Sequence, residues 1–165
     1  MTAIDINDTT IHYVERGEGQ PVVLVHGSAS DLRTWNAQID LTGREFRTVA
    51  YSRRFHWPNR PIAEGEDYPM DQQVDDLEAV IEALGLPPLH LVGHSYGAFL
   101  CLLLALRRPG ALRSLVLAEP PVLTLFASSR PKPGELLRTL LTRPRTGLAV
   151  AKFGVSGLRP AARAV

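Results

Sequence analysis

The sequence has 165 residues, of which 45% are hydrophobic and 21% charged, and its formal net charge at pH 7 is +1. This composition supports the core of one globular domain, and it excludes a disordered chain and a strongly basic nucleic-acid binder. Cys101 is the single cysteine, which excludes an internal disulfide framework and a multi-cysteine zinc site.

The charge is unevenly distributed along the chain. Residues 1–95 carry 7 basic and 15 acidic residues, whereas residues 96–165 carry 11 basic and 2 acidic ones. A basic segment of this kind indicates a membrane surface or nucleic acid as partner, or acidic neighbours in a longer chain. Its apolar surface is interrupted by Pro144, and the longest apolar run, 98–106, is too short to span a bilayer. With no secretory signal pattern in the first ten residues, we expect a cytoplasmic protein without membrane association.

The first half of the chain predicts strands separated by turns. Asn7-Asp8 predicts a hairpin turn, and residues 22–25 form the continuous apolar run typical of a strand buried on both faces. Residues 32–42 predict a short helix, and the proline-containing stretch 52–68 predicts a loop. The predicted strands cover residues 3–6, 9–15, 22–25 and 46–51.

The second half alternates helices with strands, which is typical of a mostly parallel sheet flanked by helices and predicts an α/β fold. A helix is predicted from about Met70 until Gly85, followed by a strand at 90–92, a helix at 96–108 and a strand at 115–118. In the first helix, five apolar residues share one face and four acidic residues are predicted to face away: Val74, Leu77, Val80, Ile81 and Leu84, against Asp75, Asp76, Glu78 and Glu82.

The sequence Gly-His-Ser-Tyr-Gly at 93–97 carries the strongest chemical signal. It lies between an apolar strand and a helix, the setting in which a tight turn projects a nucleophilic serine, here Ser95, above a sheet. Glycine on both sides of the turn relieves collisions with the neighbouring backbone. The alternative is a glycine-rich strand–helix turn that serves packing alone.

A second signal is His26-Gly27-Ser28, directly after the apolar strand 22–25. Acyl transfer needs two N–H donors aimed at the developing oxyanion. The backbone amide of Tyr96, directly after the candidate nucleophile, supplies one donor, and that of Ser28 is expected to supply the other. The alternative is a plain strand-to-loop turn in which Gly27 permits a sharp bend.

The segments VLVHGS and LVGHSYGA together resemble the α/β-hydrolase fold family, and the similarity runs from about residue 9 to 121, including the loop YSRRFHWPN. The resemblance implies an antiparallel start followed by a parallel sheet, with Ser95 as nucleophile and the amides of Ser28 and Tyr96 as the oxyanion hole. It implies hydrolysis of an ester, thioester, amide or C–C bond, or perhydrolase chemistry, on a small molecule. A serine at position 95 disfavours the epoxide-hydrolase and haloalkane-dehalogenase branches, which attack through a carboxylate.

The family order of catalytic residues is serine, then acid, then histidine. All five histidines of this chain precede Ser95, so the expected general base is absent. His56, on a loop at the active-site end, is the one upstream candidate, whereas His94 is expected to pack beneath the turn. Glu119, at the end of the strand that follows helix 96–108, is a candidate acid; the alternatives are a strand-end carboxylate or a pocket-lining group.

In family terms, residues 1–121 contain the first six strands of the core and residues 122–165 the beginning of a helical lid. We therefore expect a truncated, weakly active or inactive form, and the alternative is a non-catalytic binding module. Strand 115–118 would then be an unpaired apolar edge through which chains self-associate. No nucleotide-binding glycine loop occurs, and we expect no cofactor, metal or nucleic-acid partner.

Overall fold

The computed structural model of the protein describes residues 1–121. The predicted lid region, residues 122–165, lies outside the described residues. Within residues 1–121, no helix has the length and apolarity needed to cross a membrane.

Six strands and three α-helices make up the described part, and a 3₁₀ turn at Leu32–Trp35 precedes the first helix. The strands are β1 (Thr2–Ile6), β2 (Thr9–Arg16), β3 (Pro21–Val25), β4 (Arg47–Tyr51), β5 (Leu89–His94) and β6 (Leu112–Ala118). The helices are α1 (Asn36–Thr42), α2 (Met70–Ala83) and α3 (Tyr96–Arg107).

The strands form one sheet in the order β1-β2-β4-β3-β5-β6. The pairs β1–β2 and β2–β4 are antiparallel, and all pairs from β4 to β6 are parallel. The predicted hairpin is confirmed, because Asn7 and Asp8 both adopt positive φ angles (39° and 57°), as a type I′ turn between twisted strands requires. The α/β class and the antiparallel start followed by a parallel sheet are also confirmed.

The core lies on both faces of the central strands. Val23 and Val25 of β3 pack into the larger apolar cluster with residues of α2 and α3, whereas Val22 and Leu24 pack into a smaller cluster with Trp35 and Ile39. Because alternate side chains point to opposite faces, a strand covered on both faces is apolar at every position. This arrangement explains the unbroken run at 22–25.

The prediction that Asp76 faces solvent is wrong. Its carboxylate is fully buried and pairs with Arg54, whose Nε and Nη2 each donate to it at 2.8 Å. Asn7 and the Tyr68 hydroxyl also donate to Asp76, at 3.1 and 3.2 Å. Helix periodicity misses this contact because the partner arginine lies in the loop after β4, which also buries Ser52, Arg53 and Asn59.

Strand β6 begins three residues earlier than predicted, at Leu112. The polar residues Arg113 and Ser114 hide its start from the sequence pattern, but Ser114 pairs in register with His90. β6 is at the edge of the sheet that residues 1–121 form, and Val116 on it is exposed. Self-association through this edge stays a prediction.

We expect Asp76→Asn to lower the free energy of unfolding by about 3–5 kcal/mol, because it leaves the buried Arg54 guanidinium without a counter-charge. Its neighbour Asp75 pairs with Arg107 on the surface, so Asp75→Asn should cost about 0.5 kcal/mol or less. Urea unfolding of both variants measures the difference. Equal losses would contradict the assignment of the Arg54–Asp76 pair as the internal one.

Candidate active site

The turn between β5 and α3 holds the serine in a strained backbone conformation. Ser95 has φ 51° and ψ −123°, a region that residues with a side chain rarely occupy. Its N–H donates to the carbonyl of Ala118 on β6 at 2.8 Å, and its own carbonyl accepts from Ala98 and Phe99 of α3. Strand, neighbouring strand and helix therefore fix the serine from three sides.

Two glycines permit this turn through close backbone approach. A Cβ atom on Gly93 would lie 2.5 Å from Cα of Ala98, and one on Gly97 would lie 2.5 Å from the carbonyl oxygen of His26. Such contacts are far inside van der Waals range, so no other residue fits without displacing α3 from β3 and β5. This is the collision that the sequence motif predicts.

The loop after β3 lies directly against the serine. A Cβ atom on Gly27 would be 3.1 Å from Cβ of Ser95. Ser28 follows as an exposed residue, and Tyr96 is the first residue of α3, where backbone N–H groups have no acceptor within the helix. The fold thus brings the residues proposed as nucleophile and oxyanion donors to one end of the parallel strands.

His26 is a structural residue of this loop. Its ring is fully buried; Nε2 accepts from the backbone N–H of Arg53 at 2.9 Å, so the proton is on Nδ1, which donates to the carbonyl of Gly27 at 2.8 Å. Burial, reinforced by the nearby Arg53 charge, lowers the pKa of His26 from 6.5 to about 3. The ring therefore stays neutral at physiological pH.

His56, the upstream candidate base, is anchored in the same loop cluster. Its Nδ1 donates to the carbonyl of Ser30 at 2.9 Å, and its ring stacks edge-on against His26 with centroids 4.7 Å apart. Burial and the charge of Arg53 lower the pKa of His56 from 6.5 to about 4. Its contacts are with the loop after β3 rather than with Ser95.

His94 does not pack wholly beneath the turn, contrary to the prediction. Its Nδ1 atom is buried without a hydrogen-bond partner in the described residues, but its Nε2 reaches outward to 3.6 Å from a carboxylate oxygen of Glu119. Glu119 has a positive φ of 52°, and its side chain is 86% exposed. The two residues meet because β5 and β6 are neighbours whose register pairs His94 with Ala118.

The remaining histidines also bond away from the serine: His12 to Asn59 and His90 to Ser114. In the described residues, the hydrogen bonds of His12, His26, His56 and His90 thus go to groups other than Ser95. Within residues 1–121, no three histidine, cysteine, aspartate or glutamate side chains converge as a metal site requires.

A family model of the alpha/beta hydrolase fold matches residues 20–147. The chain belongs to this family. Among curated α/β-hydrolase relatives, it is 29% identical over 109 residues to (E)-2-((N-methylformamido)methylene)succinate hydrolase of Acinetobacter baylyi, covering 66% of this chain and 41% of the relative. It is 35% identical over 117 residues to the non-heme chloroperoxidase CPO-A1 of Kitasatospora aureofaciens, covering 68% and 42%.

Solved structures of α/β-hydrolases are also similar to this chain. An epoxide hydrolase from Bacillus megaterium in complex with an inhibitor is similar at a TM-score of 0.68 and 28% identity, covering 86% of this chain and 46% of that one. A meta-cleavage product hydrolase mutant from Pseudomonas fluorescens IP01 gives 0.67 and 29%, covering 73% and 45%. The chain therefore spans less than half the length of these α/β-hydrolases.

We expect Gly97→Ala to destabilise the protein by about 1–3 kcal/mol, because the added methyl group collides with the carbonyls of Val25 and His26. Gly110→Ala is the matched control, since a Cβ atom there meets nothing within 4 Å. Urea unfolding reports both values. A harmless Gly97→Ala would show that α3 does not approach β3 this closely.

The lowered pKa of His26 predicts acid destabilisation. The folded pKa lies below the unfolded one, so the unfolded chain binds the extra proton, and stability falls as pH drops from 6.5 towards 3. The slope from this group approaches about 1.4 kcal/mol per pH unit. Urea unfolding between pH 7.5 and 5 should give a shallower pH slope for His26→Gln than for the wild type. An unchanged slope would contradict a neutral, buried His26.

Proposed function

We propose that this chain carries the nucleophile and oxyanion hole of a serine hydrolase that acts on an ester, thioester, amide or related acyl bond of a small molecule. The observation that supports this most strongly is the strained backbone of Ser95 between β5 and α3. Gly93 and Gly97 flank it, and each lies so close to neighbouring backbone that a side chain would not fit. A turn needed only for packing would favour glycine at this position, because glycine adopts this backbone conformation with less strain than serine.

In the proposed reaction, the Ser95 hydroxyl oxygen attacks the acyl carbon and its proton passes to a general base. The carbonyl oxygen becomes negatively charged and accepts hydrogen bonds from the backbone N–H groups of Ser28 and Tyr96. The leaving group departs with a proton, and water then hydrolyses the acyl-serine to release the acid and restore Ser95.

The relatives do not all share this chemistry, since their names include epoxide hydrolases as well as deformylases and haloperoxidases. The epoxide-hydrolase route attacks through a carboxylate, and position 95 provides a hydroxyl instead. The serine therefore favours acyl chemistry or the related perhydrolase reaction over epoxide opening for this chain.

The candidate acid is Glu119. It follows the carboxyl end of β6, the strand next to β5, and the Ser95 N–H to Ala118 carbonyl bond joins the two strand ends directly beside it. Its contact with His94 supports the alternative role of a carboxylate that holds that ring. No histidine follows Ser95 in the sequence, so we propose that the isolated chain is a truncated form with weak activity or none.

A fluorophosphonate probe tests the nucleophile. We expect slow covalent labelling that peptide mapping assigns to Ser95 and that disappears in Ser95→Ala. Ser28→Ala is the matched control, because it removes a nearby hydroxyl but keeps the backbone N–H that the oxyanion needs, and it should be labelled like the wild type. Loss of labelling in Ser28→Ala would mean that Ser28 acts through its hydroxyl group rather than through its backbone N–H.

Ester turnover by the same chain tests the absence of a base. An oxyanion hole without a working triad retains about 10³–10⁴-fold catalysis over water, far below a complete triad. We expect p-nitrophenyl acetate hydrolysis close to that residual level, and no effect of His56→Gln. Rapid turnover that Ser95→Ala abolishes would contradict the proposed weak activity.

A non-catalytic binding module is the second candidate. It is favoured by the hydrogen bonds of His12, His26, His56 and His90, each of which goes to a group other than Ser95. A folded chain that binds small acyl compounds but resists the fluorophosphonate would support this alternative. The cytoplasmic location stays a prediction.

A further inference from the structure

Two consecutive arginines follow β4, and they are buried in different ways. Arg54 has the Asp76 carboxylate as its partner. Arg53 is 2% exposed, yet within residues 1–121 no carboxylate lies in ion-pair distance of it. A buried guanidinium without a counter-charge is costly, and a protein keeps one where neutral acceptors hold it in place.

The neutral acceptors of Arg53 come from the loop after β3 and from α2. Nη2 donates to the carbonyl oxygen of Gly27 at 3.0 Å, and Nη1 donates to Oε1 of Gln73 on α2. The guanidinium carbon lies 5.2 Å from the ring centroid of Tyr96. Its backbone N–H donates to His26, as described above. Arg53 thus bonds to the backbone of Gly27, directly before Ser28, and its guanidinium lies over the side-chain ring of Tyr96.

The carbonyl of Gly27 accepts an unusual number of hydrogen bonds. Besides Arg53, the His26 ring donates to it at 2.8 Å and the Ser30 hydroxyl at 3.3 Å. This carbonyl belongs to the same planar peptide unit as the N–H of Ser28. In a trans peptide the two groups point in opposite directions, so three donors that hold the carbonyl inward also turn the Ser28 N–H outward.

We propose that Arg53 is a positioning residue of the oxyanion hole, which fixes and polarises the Gly27–Ser28 peptide so that the Ser28 N–H is aimed and strengthened as a donor. This inference rests on the proposed function of Ser95. A cation on a carbonyl oxygen draws electron density through the peptide and makes its N–H a better donor. Preorganised donors of this kind need no rearrangement when the negative charge develops.

The charge of Arg53 and the planar shape of its guanidinium make separable contributions to the position of the Gly27–Ser28 peptide. The guanidinium bridges Gly27 and Gln73 with two nitrogens, and burial lowers its pKa without removing a charge that arginine keeps in proteins. A lysine can supply the charge to one acceptor but cannot span both. A methionine has similar length and supplies neither.

The test compares the rate constants for fluorophosphonate labelling of Ser95 in the full chain and three variants. We expect Arg53→Met to slow labelling by about 10–100-fold, less than the loss of a whole oxyanion donor, and Arg53→Lys to recover part of the rate. Arg47→Met is the matched control. Arg47 begins β4, the strand that leads to Arg53, and pairs with Glu15 at the far end of that strand, so this variant should be labelled like the wild type. Urea unfolding of each variant confirms that the labelled protein is folded.

A purely structural role for Arg53 predicts lower stability with labelling unchanged, or equal losses in the Lys and Met variants. Either result in folded protein would overturn the inference.

A second measurement separates this inference from the proposed function. Loss of a charged donor on the Gly27 carbonyl should shift the Ser28 ¹⁵N and Gly27 ¹³C′ resonances upfield in Arg53→Met, with a smaller shift in Arg53→Lys. If the wild type resists labelling, the serine-hydrolase proposal fails while these shifts still decide whether Arg53 controls the peptide. Unchanged resonances overturn the inference whatever the labelling result.

Discussion

The first turn of α3 packs against the ends of β3 and β5 with almost no space between the backbones. Gly97 lies against the carbonyls of Val25 and His26, and Gly93 lies against Ala98. Because these contacts leave no room for a side chain, the strand order, the start of the helix and the conformation of Ser95 depend on one another. The candidate nucleophile is therefore a product of how the sheet is assembled.

Polar groups buried beside this contact then fix the surrounding loops. His26 has one tautomer because it accepts from Arg53 and donates to Gly27, and His56 holds Ser30 in the same way. The depressed pKa values of both rings follow from this burial near a cation. Neutral histidines here stabilise loop geometry, which leaves proton transfer to a group outside these contacts.

Local sequence patterns predict most of the fold. Three features follow from constraints within a few residues, and the structure has all three: the Asn7-Asp8 turn, the apolar run of β3, and the close packing of Gly93 and Gly97 around Ser95. The errors involve distant partners: Asp76 meets Arg54 across 22 positions, and the start of β6 is set by pairing with β5. The prediction for His94 fails for the same reason, since the residue that it approaches, Glu119, directly follows another strand, β6.

The anchoring role of Arg53 illustrates a further limit. Its partners come from the loop after β3, from α2 and from α3, three elements that are far apart in sequence. Periodicity assigns two adjacent arginines in a loop to solvent. Only the assembled fold distinguishes one that neutralises an acid from one that contacts peptide and amide oxygens.

The Asp76 network has a consequence for the dynamics of the N-terminal hairpin. Asn7, at the hairpin turn, donates its side-chain amide to Asp76, and its carbonyl accepts from Arg54 at 2.7 Å. A hairpin at the border of a sheet would ordinarily fray independently. Here, opening the turn exposes a buried ion pair, so the border strands and the helix behind them should exchange their amide protons with deuterium as one cooperative unit.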